Sequence, residues 1–227
     1  MTPPVFTRAT LRRDVPASAI RAVLMPEGES ARAATTHHLI WTLFGDTPDR
    51  DRDFLWREHA PGEFYLLSSR PPVDVHGLFE LSPPKSFAPA LVPGDRLTFD
   101  LRVNATVSRG GVPGVRGKPC DIVMDAIHRL PKGERAVGRA DALNQVAGTW
   151  MARKGSMSGF TVSTLGVMGY SVITMDRARG VPAVRYGVLD LRGEIVITDA
   201  NALVAGLSAG FGRAKAFGCG LMLVRRA

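Results

Sequence analysis

The stretch Gly210-Phe-Gly-Arg-Ala-Lys-Ala-Phe-Gly-Cys-Gly220 is the most informative part of this sequence of 227 residues. Four glycines surround Arg213 and Lys215, and the apolar run Leu221-Met-Leu-Val224 follows. Glycine adopts positive φ and lets the backbone approach a ligand closely, so a glycine-rich loop that carries cations suits a phosphate. The stretch therefore predicts a loop that presents cations to a polyanion and leads into a last short strand.

Two common phosphate-binding motifs do not fit this loop. A dinucleotide fingerprint that opens at Gly210 would need a βαβ unit after it, with an acidic residue roughly 20 positions on, and the sequence has seven residues after Gly220. A Walker A loop would need Gly-Lys-Ser/Thr, which the stretch lacks. We therefore do not expect a small-molecule enzyme with a phosphate loop. A tight helix-to-strand connection with solvated charges remains the alternative interpretation.

The positive charge is concentrated in the second half of the chain. Residues 1–113 contain 13 Lys and Arg and 13 Asp and Glu, whereas residues 114–227 contain 16 and 8, so the whole net charge of +8 belongs to the second half. This asymmetry predicts contact with a polyanion, of which nucleic acid is the commonest in the cytosol. Arginine supplies most of the charge, and its planar fork suits phosphates.

The composition also bounds the compartment and the cofactors. No run of 18 or more apolar residues occurs, so we expect no membrane span. The N-terminus lacks the apolar core of a signal peptide, which predicts a cytoplasmic protein. Cys120 and Cys219 lack metal-ligand spacing and are expected to be reduced thiols. We expect neither a metal nor another cofactor.

The order of predicted elements favours an α+β fold. Hydrophobic periodicity predicts helices over residues 31–44, 121–130, 140–154 and 200–209, and strands over 5–11, 53–57, 63–68, 96–107, 162–174 and 184–191, with a further apolar run at 194–198. A proline-rich linker at 82–94 separates an N-terminal domain (1–92) from a C-terminal domain (93–227), and two ferredoxin-like halves would fit this order. Residues 108–119 are expected to form a mobile basic loop.

A histidine pair lies on the first predicted helix. Ile40, Trp41 and Phe44 follow His37 at +3, +4 and +7, which places His37 on the inward face and turns His38 about 100° away. A histidine at the edge of an apolar face suits general acid or base catalysis. A packed or capping histidine is the alternative. Because adjacent histidines point to different faces, zinc is not predicted.

Cleavage of RNA would fit this small set of groups. The substrate's own 2′-OH is the nucleophile, so the protein must align it, move protons and stabilise a phosphorane. One histidine and a few cations suffice for this, without a metal.

Three stretches carry a resemblance to a known family. They are His37-His-Leu-Ile-Trp-Thr-Leu-Phe44, Phe99-Asp-Leu-Arg-Val-Asn104, and the glycine-rich stretch 210–221. The chain resembles the CRISPR repeat-processing endoribonucleases of the CasE family, the RNA-cleaving subunit of type I-E Cascade. That family places its catalytic histidine four residues before an aromatic residue, and His37 matches this position. The three stretches occur in the family's order, and this order and spacing extend over nearly the entire chain.

The resemblance implies a fold and an activity. The fold would be two tandem ferredoxin-like (RRM-like, RAMP) domains joined by the proline-rich linker. The protein would bind the hairpin of CRISPR repeat RNA and cleave at its base by attack of the 2′-OH, without a metal, leaving a 2′,3′-cyclic phosphate. It would keep the mature RNA and join the other Cascade subunits. A non-catalytic RNA-binding or assembly subunit of the same complex is the alternative.

The resemblance also assigns residues. His37 would be catalytic, and Ala34 stands where members often carry a tyrosine. Either His37 acts without that partner, or another group such as His38 or Lys118 assists. The residues expected to bind RNA are Arg102, Asn104, Arg109, Arg116, Lys118, Arg153, Lys154, Gly210, Gly212, Arg213 and Lys215.

Overall fold

The computed structural model describes residues 3–12, 29–45, 51–110, 117–175 and 183–227, with the backbone alone for residues 29–34. These residues form a mixed α/β structure of two main antiparallel sheets with helices packed on them. One sheet is built from residues 5–86 and the other from residues 96–226.

The first sheet carries the histidine helix. Its strands lie in the order β2-β3-β1-β4, with β5 paired to β1. Its elements are β1 (Val5–Leu11), α1 (Glu29–Trp41), a 3-10 helix (Thr42–Phe44), β2 (Phe54–Ala60), β3 (Glu63–Ser68), β4 (Phe79–Leu81) and β5 (Lys85–Ser86). Phe54 and Trp56 point from β2 toward α1 and share a core with Leu39 and Ile40.

The second sheet has the strand order β11-β6-β10-β9, and β7 and β8 pair separately. Its region contains β6 (Arg96–Val103), β7 (Thr106–Arg109), β8 (Lys118–Asp121), α2 (Ile122–Arg129), α3 (Arg139–Met157), β9 (Phe160–Met175), β10 (Val184–Ile197), α4 (Ala200–Ala209), a 3-10 helix (Lys215–Phe217) and β11 (Met222–Arg226). Alternation along β6 buries Leu97, Phe99, Leu101 and Val103 in the larger core.

Side-chain caps start two of the helices of this second region. The Asp121 carboxylate accepts hydrogen bonds from the backbone N–H groups of Val123 and Met124 at the start of α2. Asp199 accepts from the N–H of Ala202 in the same way at the start of α4. Each cap satisfies donors that the first turn of a helix leaves unpaired.

An apolar cluster joins the two sheets. Leu55 and Leu67, from the first sheet, are buried against Leu221, which directly precedes β11. Phe87, between the sheets in the chain, packs against the same cluster. This contact brings the C-terminal segment onto the face of the first sheet that is turned away from Leu39 and Ile40.

The predicted mixed fold is confirmed, and two predictions of local structure are wrong. The runs at 184–191 and 194–198 form the single strand β10. Gly193 allows this continuity, because an added Cβ there would lie 2.0 Å from the Thr164 carbonyl oxygen on the neighbouring strand. The predicted basic loop at 108–119 is partly strand, since its ends belong to β7 and β8. Arg116 lies outside the described residues.

In the described part of the chain, no helix is both long and apolar enough to cross a membrane.

Candidate functional site

The glycine-rich loop (residues 210–220) presses against protein on both sides. Gly212 has φ +73°, and an added Cβ would lie 2.5 Å from the Asn104 carbonyl oxygen. Gly218 has φ +77°, and a Cβ there would lie 2.8 Å from the Trp56 ring. The sequence suggested that these glycines approach a ligand. In the structure they permit close contact with β2 and with the end of β6.

Backbone hydrogen bonds fix the loop to the end of β6. The N–H of Arg213 donates to the Asn104 carbonyl at 3.0 Å, and the N–H of Gly220 donates to the Arg102 carbonyl at 2.8 Å. The side chain of Asn104 is buried and donates to the Gly187 carbonyl at 2.7 Å. The amide of Asn104 is thus engaged inside the protein, where it supports the loop and does not face solvent.

His37 and the glycine-rich loop meet at one carbonyl. Nδ1 of His37 lies 2.8 Å from the Ala216 oxygen, and Nε1 of Trp56 donates to the same oxygen at 3.0 Å. A carbonyl can only accept, so Nδ1 of His37 carries the hydrogen. In the neutral ring, Nε2 is then left with its lone pair available.

Aromatic rings hold the imidazole in place. The His37 ring centroid lies 5.0 Å from that of Phe217 and 5.8 Å from that of Trp41. Phe217 in turn stacks on Tyr186 of β10 at 5.6 Å. His38 is exposed, with its ring 5.2 Å from that of His37. The expected inward and outward orientations of the two histidines are confirmed.

Burial and nearby cations keep His37 neutral. Burial is the main cause that lowers the pKa of His37 below 6.5; the bond to the Ala216 carbonyl opposes it, and repulsion from His38 and Arg52 lowers the pKa further. At neutral pH the ring is therefore an unprotonated base with Nε2 free. Such a group can accept a proton from a hydroxyl and return it later.

Two half-buried lysines lie near this site, where Arg52 is close to His37 and to Lys215. Lys215, next to Ala216, donates from Nζ to the Ala209 carbonyl at 2.6 Å. Burial lowers the pKa of Lys215, and repulsion from Arg52 and Lys154 adds to the effect. Lys154 lies over the Trp150 ring, with Nζ 5.5 Å from the ring centre. Three cations therefore lie close together, and Lys215 is repelled by both Arg52 and Lys154.

The sequence reasoning missed Arg52. No motif marks it, since it stands alone before β2. The available signal was alternation, because positions 52, 54 and 56 of an extended chain share one face, and Phe54 and Trp56 are large apolar residues on that face. In the structure, Arg52 is half-buried and donates to the Phe54 carbonyl.

A basic cavity lies beside the glycine-rich loop. It has a volume of about 540 Å³, and Arg153, Lys154 and Arg213 line it together with Gly212 and Trp150. Four residues of the predicted RNA-binding set are therefore brought together, from the end of α3 and from the loop.

The other predicted RNA-binding residues are placed differently. Arg102 on β6 pairs with Asp190 on the neighbouring strand β10 at 3.0 Å. Arg109 pairs with Asp125 at 2.8 Å and lies opposite the exposed Lys118 across the β7–β8 ladder.

Among the described residues, no group of three His, Cys, Asp or Glu side chains could hold a metal ion. Cys219 is buried, which raises the pKa of its thiol to about 12, and Cys120 is a free, partly buried cysteine.

Solved structures share this fold. Thermus thermophilus Cse3 bound to an RNA representing a pre-cleavage complex matches with a TM-score of 0.66 and 20% identity over 98% of this chain and 99% of that chain. The CRISPR endoribonuclease Cse3 bound to a 19 nt RNA matches at 0.65 and 21%, over 98% and 99%. The CRISPR-associated protein Cas6e from Escherichia coli str. K-12 matches at 0.61 and 20%, over 98% and 100%.

No curated protein matches the sequence. The model of the family described as CRISPR associated protein matches residues 6–226. That match covers nearly the entire sequence, including α1 and the glycine-rich loop, and the chain therefore belongs to the CRISPR-associated protein family.

Proposed function

We propose that this protein is an endoribonuclease that binds the hairpin of CRISPR precursor RNA and cleaves at the base of the hairpin without a metal. The observation that carries the proposal is the hydrogen bond from His37 Nδ1 to the Ala216 carbonyl, which leaves Nε2 as a free base close to Arg52. The fold shared with endoribonucleases that were solved with RNA adds support.

The proposed reaction needs only proton transfer and charge stabilisation. Nε2 of His37 accepts the proton of the 2′-OH, and the 2′-oxygen attacks the adjacent phosphorus. The bond from phosphorus to the 5′-oxygen breaks, and that oxygen takes a proton from the imidazolium. The products are a 2′,3′-cyclic phosphate and a 5′-OH, and His37 is returned to its neutral form. His38, which is exposed beside His37, and Lys118 remain proposed assistants.

The proposed RNA-binding surface extends from the basic cavity to the β7–β8 ladder. Arg153, Lys154 and Arg213 would contact backbone phosphates, and Lys118 would contact the stem. The major groove of A-form RNA is too deep and narrow for side chains to read, so shape and phosphate contacts should dominate. The remaining residues proposed to contact RNA are Arg102, Arg109, Arg116, Gly210, Gly212 and Lys215, whereas the buried amide of Asn104 supports the loop from inside the protein.

We further propose that the protein keeps its product and joins the other subunits of type I-E Cascade. A subunit of a structure named CRISPR RNA-guided surveillance complex has the same fold, with a TM-score of 0.58, 19% identity, and coverage of 98% of this chain and 100% of that chain. This likeness supports a place in such an assembly.

The fold proposal is that two ferredoxin-like domains follow each other, 1–92 and 93–227. In both sheets the strand that comes first in the chain lies between the third and the fourth, which is the ferredoxin-like order. The second sheet also has helices in both crossovers, α2 with α3 and then α4. The segment 87–95 separates the two sheets in the chain.

The test is incubation of purified protein with a labelled repeat hairpin in excess EDTA. A matched hairpin carries a 2′-deoxy substitution just upstream of the expected scissile phosphate. Cleavage of the all-RNA hairpin alone supports a metal-free ribonuclease that uses the 2′-OH. Tight binding of both hairpins without cleavage of either one would instead identify a non-catalytic RNA-binding subunit.

A further inference from the structure

We propose that Arg52 binds the scissile phosphate, with its guanidinium on the two non-bridging oxygens and Lys215 beside it. This inference rests on the proposed ribonuclease function and names a residue that neither a motif nor the glycine-rich loop contains. It makes the site a composite of three chain segments: α1, the start of β2 and the loop.

The position of Arg52 follows from β2. Phe54 and Trp56 both point toward the histidine side of the first sheet, since Phe54 lies 5.2 Å from Trp41 and Trp56 donates to the carbonyl that holds His37. Arg52 precedes Phe54 by two positions, so an extended chain places it on the same face. Its guanidinium donates to the Phe54 carbonyl, which holds the side chain at the start of β2. The Arg52 charge acts there on both His37 and Lys215.

Neither of the acidic residues that flank Arg52, Asp51 and Asp53, forms an ion pair with it in the described part of the chain. Asp53 is engaged by Arg70, whose Nε lies 2.9 Å from the carboxylate. Asp53 also accepts from the hydroxyl of Ser69 at 2.9 Å. Its charge raises the pKa of Arg52, but burial lowers that pKa more strongly.

Three cations therefore share this region without an ion-pair partner among the described residues: Arg52, Lys154 and Lys215. Their polar contacts are the Phe54 carbonyl, the Trp150 ring and the Ala209 carbonyl, none of which carries a negative charge. Arg52 and Lys154 each lower the pKa of Lys215, so the cations repel one another. Half-buried like charges are costly unless an anion joins them. A backbone phosphate of RNA is such an anion.

The chemistry of the reaction suits an arginine at this position. When the 2′-oxygen attacks, negative charge grows on the non-bridging oxygens of the phosphorane. A planar guanidinium can donate two parallel hydrogen bonds to such a pair of oxygens. Because the site is already arranged before the charge develops, the stabilisation is larger in the transition state than in the bound ground state.

The test compares Arg52→Gln and Arg52→Lys in single-turnover cleavage with protein in excess. We expect Arg52→Gln to slow cleavage by about 10²- to 10³-fold, and Arg52→Lys to recover part of the loss. Affinity for the uncleavable 2′-deoxy hairpin should change by no more than about threefold, because one phosphate contact among many is lost. Arg192→Gln, an exposed arginine on the outer face of the second sheet, is the matched control.

The pH profile tests whether the charge of Arg52 lies beside His37, which a role in folding alone would not require. The charged and titratable groups around His37 are His38 on its own helix, Arg52 before β2 and Lys215 on the loop. Arg52→Gln removes a positive charge that lowers the pKa of His37, so the acid limb of the rate profile should move to higher pH. A slower variant with an unmoved limb, or a rate within about twofold of wild type, would overturn the inference.

A hairpin with an uncharged group at the scissile phosphate tests the contact with Arg52 separately from the ribonuclease activity. If the wild type does not cleave, the ribonuclease proposal fails, and Arg52 is then tested by binding alone. A methylphosphonate at the scissile position should weaken binding to the wild type and to Arg52→Lys more than to Arg52→Gln, in which Lys215 alone faces the phosphate. Equal weakening in all three proteins would refute contact between Arg52 and that phosphate. Should Arg52→Gln fail to fold, equal affinity of Arg52→Lys for both hairpins would refute the contact in the same way.

Discussion

Nδ1 of His37 lies 2.8 Å from the carbonyl oxygen of Ala216, although 179 positions separate the two residues in the chain. The first helix and the C-terminal loop therefore build one site. Trp56 donates to the same oxygen and ties the loop to β2 as well. The hydrogen bond to the Ala216 carbonyl requires the hydrogen on Nδ1 of His37, which leaves the lone pair of Nε2 available. Folding of both regions is thus a condition for the proposed chemistry.

Replacement of His37 by Ala should abolish cleavage and preserve RNA binding. Loss of a general acid or base costs about 10²- to 10⁴-fold in rate, whereas the phosphate contacts remain. Single-turnover cleavage and filter binding of the 2′-deoxy hairpin measure the two quantities. His76→Ala, which changes an exposed histidine before β4, should behave as wild type. Cleavage by the His37 variant at a near wild-type rate would refute the assignment.

The cleavage rate should depend on pH through His37. Because burial lowers the pKa of this histidine, the base form should persist below the ordinary value of 6.5. We expect a rate that is level from neutral pH upward and falls on an acid limb whose midpoint lies below 6.5. Rate constants between pH 5 and pH 8, under single-turnover conditions, give the midpoint. A midpoint above 6.5 would contradict the lowered pKa of His37, which is caused mainly by burial and further by His38 and Arg52.

The same shift makes folding sensitive to acid. Between the lowered pKa of folded His37 and 6.5, the unfolded chain binds more protons than the folded chain, so the free energy of unfolding falls as the pH drops through this window. His37→Ala should therefore show a shallower loss of stability than wild type between pH 7 and pH 5. Urea unfolding at these pH values measures the slopes, and parallel slopes would count against the pKa shift.

Although the sequence did not predict the β7–β8 pair or the continuity of β10, it was sufficient for most of the other helices and long strands, for the orientation of His37 and for the family resemblance. These features follow from local periodicity and from short motifs. The role of the glycines could not be predicted in the same way. Four glycines and two cations are compatible with a ligand loop, but Gly218 meets a ring from β2, which lies 162 positions earlier. Only the tertiary contact shows why glycine is required.

Asn104 and Arg52 show that the surroundings of a side chain are hard to predict from the sequence. Asn104 was expected at the RNA and is buried, whereas Arg52 was not expected at the site and lies near it. Asn104 looks like a surface amide next to a basic loop, yet the fold buries it against the Gly187 carbonyl. Arg52 looks like one cation in an ordinary charged segment, yet in the structure it lies just before β2, close enough to His37 to lower its pKa. Burial and charge neighbours depend on strands that are distant in the sequence, so periodicity around each residue does not report them.

Gly218→Ala should destabilise the protein by about 3 kcal/mol, from a side chain at positive φ and a clash with the Trp56 ring. Gly77→Ala is the matched control, since Gly77 has φ +65° with nothing within 4 Å of an added Cβ. It should cost about 1 kcal/mol from the backbone alone. Urea unfolding of both variants gives the difference, and equal costs would show that the loop yields to the added methyl group.

Asp121→Ala should destabilise the protein by about 1–2 kcal/mol, because the carboxylate caps α2 through two backbone N–H groups. Tyr170 donates to the same carboxylate at 3.1 Å, so Tyr170→Phe isolates the contribution of that third bond. Asp121→Ser should retain much of the cap. If Asp121→Ala and Tyr170→Phe prove equally destabilising in thermal unfolding, the cap itself contributes little.

Lys118→Glu should weaken binding of the RNA hairpin by a similar factor for different stem sequences. Lys118 is exposed on β8 opposite Arg109, so it can reach a phosphate but no stem base in the deep groove. The slope of log affinity against log salt should fall by about one for each lost phosphate contact. Lys85→Glu makes the same change of charge on β5 of the first sheet and should leave both quantities as in wild type. If the two variants have equal slopes, Lys118 makes no phosphate contact, and any loss of affinity then reflects the net charge of the whole protein.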